Sequence, residues 1–119
     1  MIPGLKFIPV LLLLAATAAF AADSKEAAKA GAALFRDKGC TFCHGVDLKG
    51  TKKAPALAAI RTDKAWPADK ITDQILNGGK KMPPFRDSLS DDEIQQLVEF
   101  LRAKDRPTPP PADGNPTSQ

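Results

Sequence analysis

The chain has no tyrosine, one tryptophan, one histidine, two cysteines and two methionines in its 119 residues. Each shortage closes off something. Two cysteines three apart would close only a tiny loop, so a structural disulfide would stabilise little. Two cysteines and one histidine fall short of the four ligands that a structural zinc site takes. Beyond the N-terminal stretch the only aromatics are Phe35, Phe42, Trp66, Phe85 and Phe100. A folded unit of about eighty residues with so few large side chains calls for a staple: a disulfide, a metal or a bound cofactor. Charge of one sign is also scarce. Lys6 is the only one of 17 basic residues within 1–21, and none of the 14 acidic residues lies there, so 16 face 14 in the rest, a net +2. That is not the footprint of nucleic-acid binding. No segment alternates between apolar and polar, so no sheet is expected, and no internal repeat is visible.

The two ends stand apart from the middle. A head with one positive charge precedes the nearly apolar run Phe7 to Phe20, and Ala19-Phe20-Ala21 offers small residues where a signal peptidase reads. This order predicts a signal peptide over 1–21, cut between Ala21 and Ala22. The alternative is an uncleaved membrane tether, but the run is shorter than the roughly 20 residues that span a bilayer. The other end, RPTPPPADGNPTSQ over 106–119, has five prolines and no aliphatic residue larger than alanine. It is expected to be an extended, disordered tail.

Residues 22–105 therefore form the expected domain. Asp23 and Glu26 are spaced as a capping box, and an alanine-rich helix should run from there to Lys38, with Ala27, Gly31, Leu34 and Phe35 on one stripe. Gly31 in mid-helix is costly and points to a close packing partner. Ser90 and Glu93 make a clearer box. Ile94, Leu97, Val98 and Leu101 follow as the apolar face of a helix to about Lys104, with Phe100 beside it. Between them Pro67 can start a helix with Ile71, Ile75 and Leu76 on its face, and Gly78-Gly79 can stop it. A turn is expected around Ala56 to Ile60.

Both cysteines and the histidine fall in Cys40-Thr-Phe-Cys43-His44. A thioredoxin-like dithiol usually rides on a strand–helix junction, and this chain offers no strand. In Cys-x-x-Cys-His the sulfurs can instead add as thioethers to the two vinyl groups of a haem, and the adjacent histidine falls under the iron. This is the c-type haem signature, with the dithiol as the remaining alternative. Met1 leaves with the signal peptide, so Met82 is the only thioether of the mature chain. It sits in Gly78-Gly-Lys-Lys-Met-Pro-Pro-Phe85. The glycines permit a sharp turn before Met82, and Pro83 and Pro84 stiffen the chain after it. Met82 is thus expected as the second axial ligand, its alternative role being a core filler.

With these pieces in place, residues 23–104 resemble a class I cytochrome c. The likeness rests on Gly31 and Phe35, the Cys40–His44 motif, Ala54-Pro55-Ala-Leu57, Gly78 through Phe85, and the last helix with Phe100. It implies a small all-α fold of three to five short helices around one haem c and its iron, the first and last helices crossing so that Gly31 and Phe35 meet Leu97 and Phe100. It also implies that the Pro55 carbonyl orients His44, and it leaves Trp66 either at the haem propionates or simply in the core or on the surface. The implied function is single-haem electron transfer with His44/Met82 ligation, not enzymatic and without a small-molecule substrate. The implied setting is a bacterial periplasm, as a monomer between membrane-bound oxidase, reductase or dehydrogenase partners. A haem subunit, peroxidase-like domain or sensor in a larger complex is the competing reading. Lys38, Lys49, Lys52, Lys53, Lys80 and Lys81 flank the two ligand segments, either as a rim steering an acidic partner or as an ordinary solvated surface.

Overall fold

The computed structural model describes the backbone over residues 8–111 and the side chains over 23–111. The side chains of the expected signal peptide thus lie outside the described residues, as do residues 112–119 of the expected tail. Helices α1 (Ile8–Asp37), α2 (Cys40–His44), α3 (Ala68–Asn77) and α4 (Asp91–Arg102) are joined by loops and one 3-10 turn at Ile60–Thr62. Among the described residues there is no strand, and no helix is long and apolar enough to cross a membrane. The all-α expectation holds.

The first helix departs from expectation. It does not begin at Asp23 but runs unbroken through it from Ile8, so it is not short and the Asp23 box is no cap. The alanine- and leucine-rich stretch before Asp23 has high helix propensity and carries the helix straight through. Its buried stripe is Ala28, Gly31, Ala32 and Phe35, with Ala27 and Leu34 half-buried on the margin. That is the expected face rotated slightly toward its smallest residues. The rotation follows from Gly31, because a Cβ there would collide with the Gln96 carbonyl oxygen and come within 2.6 Å of Phe100 Cβ. The backbones of α1 and α4 therefore touch at this point, and this pair makes the main helix–helix contact. One turn on, the rings of Phe35 and Phe100 stack at a tilt, with centroids 5.3 Å apart.

Helix α4 starts where the sequence places it. Ser90 Oγ accepts from the Glu93 N–H at 3.1 Å, and the Glu93 carboxylate accepts from the Ser90 N–H at 3.0 Å. All of Ile94, Leu97, Val98, Phe100 and Leu101 are buried. The bond from the Ser90 N–H holds the Glu93 carboxyl below its ordinary 4.5. A carboxylate with a depressed folded pKa adds stability above its unfolded value, and the contribution is lost as pH falls through the lower folded one. Glu93→Gln should therefore flatten part of the acid-side fall in stability, a change that urea titrations on either side of that value would register.

Helix α3 follows Pro67 and ends at Gly78, as expected, burying Ile71 and Ile75. The turn expected at Ala56 to Ile60 comes slightly later, as the 3-10 turn. Helix α4 ends at Arg102 rather than Lys104, because Arg106 folds back onto its last carbonyls: Nη2 donates to Leu101 O at 2.6 Å and Nε to Phe100 O at 3.3 Å. Arg106 to Pro111 lie against the domain, Pro109 is buried, and Arg36 Nη1 donates to Pro111 O at 2.8 Å.

Candidate haem site

The segment after α1 turns at Gly39 and immediately forms the single helical turn α2. That turn carries Cys40, Cys43 and His44 together. No disulfide joins Cys40 and Cys43, and both are half-buried. Burial pushes the Cys40 thiol up to about 11, with a smaller contribution from Cys43 beside it. A dithiol catalyst needs a depressed thiol pKa, so this environment opposes the redox-pair alternative.

His44 is fixed by the loop on its C-terminal side. Its Nδ1 lies 2.9 Å from the Pro55 carbonyl oxygen. A carbonyl only accepts, so Nδ1 carries the proton and Nε2 keeps its lone pair for a metal. Two further bonds hold the same loop against α2: Gly50 N–H to His44 O at 2.8 Å, and Thr51 Oγ1 to Cys43 O at 2.6 Å. Nothing in the sequence pointed to Thr51, since a hydroxyl reaching back eight residues has no periodic signature.

Met82 comes from a separate segment, the loop after α3. Gly78 caps α3 at φ 69°, a region open to glycine at little cost. A Cβ at Gly78 would also press on Pro84 N at 2.7 Å and on the Met82 carbonyl oxygen. The Gly79 N–H donates to Met82 O at 2.9 Å, and the Phe85 N–H to Ile75 O at 3.0 Å. The loop is thus a tight staple closed at both ends, with Met82 half-buried between them.

These two halves meet. Cys40, His44 and Met82 border one small cavity with Phe35, Leu57, Ile75, Phe85, Leu89 and Leu97. Its walls show no polar surface, and the Phe35 ring centroid stands 6.4 Å from that of His44. The donor set fits a haem. Two thiols share a turn, an imidazole is oriented with one nitrogen free, and a thioether is held in the same apolar cleft. No group of three or more Cys, His, Asp or Glu side chains placed to hold a metal ion by themselves occurs among the described residues.

Trp66 does not border the cavity. It is half-buried against the core, with Lys70 Nζ 4.4 Å above its ring. The six flanking lysines are all exposed. Among the described residues Phe42, inside the motif, and Val46 just after it are the exposed large apolar side chains, and Lys53 Nζ sits 3.5 Å over the Phe42 ring.

The family model for cytochrome c oxidase, cbb3-type, subunit III, matches residues 26–101. Cytochrome c6 of Leptolyngbya boryana is 35% identical over 82 residues, 65% of this chain and 92% of that protein. Cytochrome c-551 of Pseudomonas aeruginosa is 33% identical over 75 residues, 57% of this chain and 70% of that protein. The menaquinol:cytochrome c reductase cytochrome c subunit of Bacillus subtilis is 30% identical over 71 residues, 60% of this chain but only 26% of that longer protein. No solved structure matches at comparable stringency. A family match across this span, on a fold that brings Cys40, His44 and Met82 to one apolar cleft, makes this chain a member of that cytochrome c family, whose proteins carry covalent haem c with its iron.

Proposed function

We propose that the chain is a single-haem electron carrier in which Cys40 and Cys43 would tether the porphyrin, while His44 and Met82 would hold its iron. When bound, the haem supplies a one-electron couple. The residues of this chain supply the rest. Pro55 holds His44 in one orientation and tautomer, so no ligand has to rearrange between oxidation states. The staple from Gly78 to Phe85 presents Met82, and thioether ligation favours the reduced state. Phe35, Leu57, Ile75, Phe85, Leu89 and Leu97 keep water out and so disfavour the extra charge of the oxidised state. With both axial positions taken, a substrate has no open site, and electron transfer rather than catalysis results.

The observation that carries this reading is the shared cavity, which brings His44 and Met82 together from segments far apart in sequence. The test is Met82→Ala in the haem-loaded protein. Covalent haem should remain, and carbon monoxide should bind rapidly. The potential should fall by an appreciable part of the ~0.8 V that axial ligands span. An unchanged visible spectrum would show that the ligand lies elsewhere.

The partners in this reading are redox proteins. Lys53 over the exposed Phe42 ring, with exposed Val46, Lys49 and Lys52 close by in sequence, suits a partner that is acidic at its rim and apolar at its centre. Export with removal of 1–21 is part of the same reading, because thioether attachment to two reduced cysteines and an N-terminal apolar run belong to a chain matured outside the cytoplasm. A second reading, a haem module of a larger oxidoreductase, draws on the reductase subunit, which is much longer than the stretch it shares with this chain.

A further inference from the structure

We propose that Arg106 is a positioning residue for the haem ligand His44, acting through the loop that supplies the Pro55 carbonyl. Arg106 lies at the head of the proline-rich segment, outside the family match at 26–101. Its guanidinium is half-buried and spends its donors on three backbone carbonyls: Phe100 O and Leu101 O at the end of α4, and Ala58 O across the domain at 3.3 Å. The first two close a helix end. The third does something different, because Ala58 belongs to the loop that orients His44.

That loop also carries bonds of its own, among them Thr51 N–H to Ala54 O at 3.0 Å and Ile60 N–H to Leu57 O at 3.1 Å, and Arg106 adds a bond to Ala58 O. Leu48 is buried yet sits at φ 59°, where a branched side chain is strained. Its carbonyl oxygen accepts from both the Leu57 and Ala58 N–H groups, at 2.8 and 3.1 Å. Leu57 borders the haem cavity, and Pro55, two residues earlier, holds the His44 Nδ1 proton. Arg106 thus bonds the outer side of the peptide stretch whose inner side bonds Leu48 and His44. The extended chain after Arg106 keeps it in place: Pro109 is buried, and Arg36 Nη1 takes Pro111 O at 2.8 Å and Pro110 O at 3.4 Å. A planar fork is needed to serve two elements at once, and a lysine ammonium cannot serve both in this geometry.

This inference rests on His44 being an axial ligand, and its test separates the two. In haem-loaded protein, proton NMR would follow solvent exchange of the His44 ring N–H and of the Leu57 and Ala58 amides, for wild type, Arg106→Met and Arg106→Lys. Both variants should exchange these protons about tenfold faster, the factor that loss of one charge-assisted hydrogen bond gives. Arg106→Lys should recover the thermal stability lost in Arg106→Met, since it restores a cation at the α4 C-terminus, but not the slow exchange. If Arg106→Lys recovers both, or if Arg106→Met lowers stability and leaves exchange unchanged, Arg106 only caps α4 and the proposal fails. If wild type itself shows no haem-shifted His44 ring resonance, the ligation reading fails and this proposal with it.

Discussion

Chains carrying Cys40→Ala and Cys43→Ala together should emerge from c-type maturation with no haem that survives denaturing extraction. The two thiols are the only cysteines in the sequence, so no other thioether can form. The effect should reach past the cofactor to the fold. The helices α1, α3 and α4 close on a cavity edged by Phe35, Leu57, Ile75, Phe85, Leu89 and Leu97, and the cavity marks where the core has least of its own substance. A small domain of this kind has about 5 kcal/mol of stability at the low end of the usual range, and losing the largest group of its centre should remove most of it. Far-UV circular dichroism should show reduced helix, and urea titration should show no cooperative transition. Haem retained through denaturing extraction in the double variant would refute the attachment.

Gly31→Ala should destabilise the domain, even though alanine is the better helix former by about 1 kcal/mol. The added methyl would meet the Gln96 carbonyl oxygen and Phe100 Cβ. Neither is the movable end of a flexible side chain, so α1 and α4 must separate. Overpacking of this sort costs about 1–3 kcal/mol, and here the strained atoms are backbone, which places the cost at the upper end. The separation should also be felt at the haem. Phe35 is one turn from Gly31, its ring packs on Phe100, and it borders the cavity beside His44. Urea titration of the holoprotein checks the sign: an unchanged or higher midpoint would mean that the helices do not meet at Gly31.

Much of the site was legible in the sequence, because its signals are local. Cys40, Cys43 and His44 are adjacent, and the glycines and prolines around Met82 act on their own backbone. The Ser90–Glu93 box likewise involves residues three apart, and it forms as written. The Asp23–Glu26 box has the same spelling and does not cap. A cap requires the preceding chain to leave the helix, and residues before Asp23 do not. Gly31 announced a close contact by its helix cost alone, and its partner in the last helix was named only through the family resemblance. Pro55 entered only through the family resemblance, since no spacing rule links a proline carbonyl to an imidazole eleven residues away. Arg106 was hidden for a related reason. Its composition said tail, but the carbonyls at the end of α4 and of Ala58 offered acceptors that only the folded chain brings within reach. Low hydrophobicity predicts that a segment cannot build a core; it does not forbid that segment from lying on one.

The Pro55 bond to His44 has a further consequence, for the order of assembly. The attachment cysteines, the imidazole and the carbonyl that aims it all lie within one short stretch, closed by bonds from Gly50 and Thr51. Closing so small a loop loses little chain entropy. Met82 reaches the cavity only after α3 and the staple behind it have docked, a long-range event. The His44 and Met82 halves of the cleft are therefore expected to form at different stages of folding. The histidine side can form in a chain that is otherwise open, and the methionine side reports that the whole domain has closed.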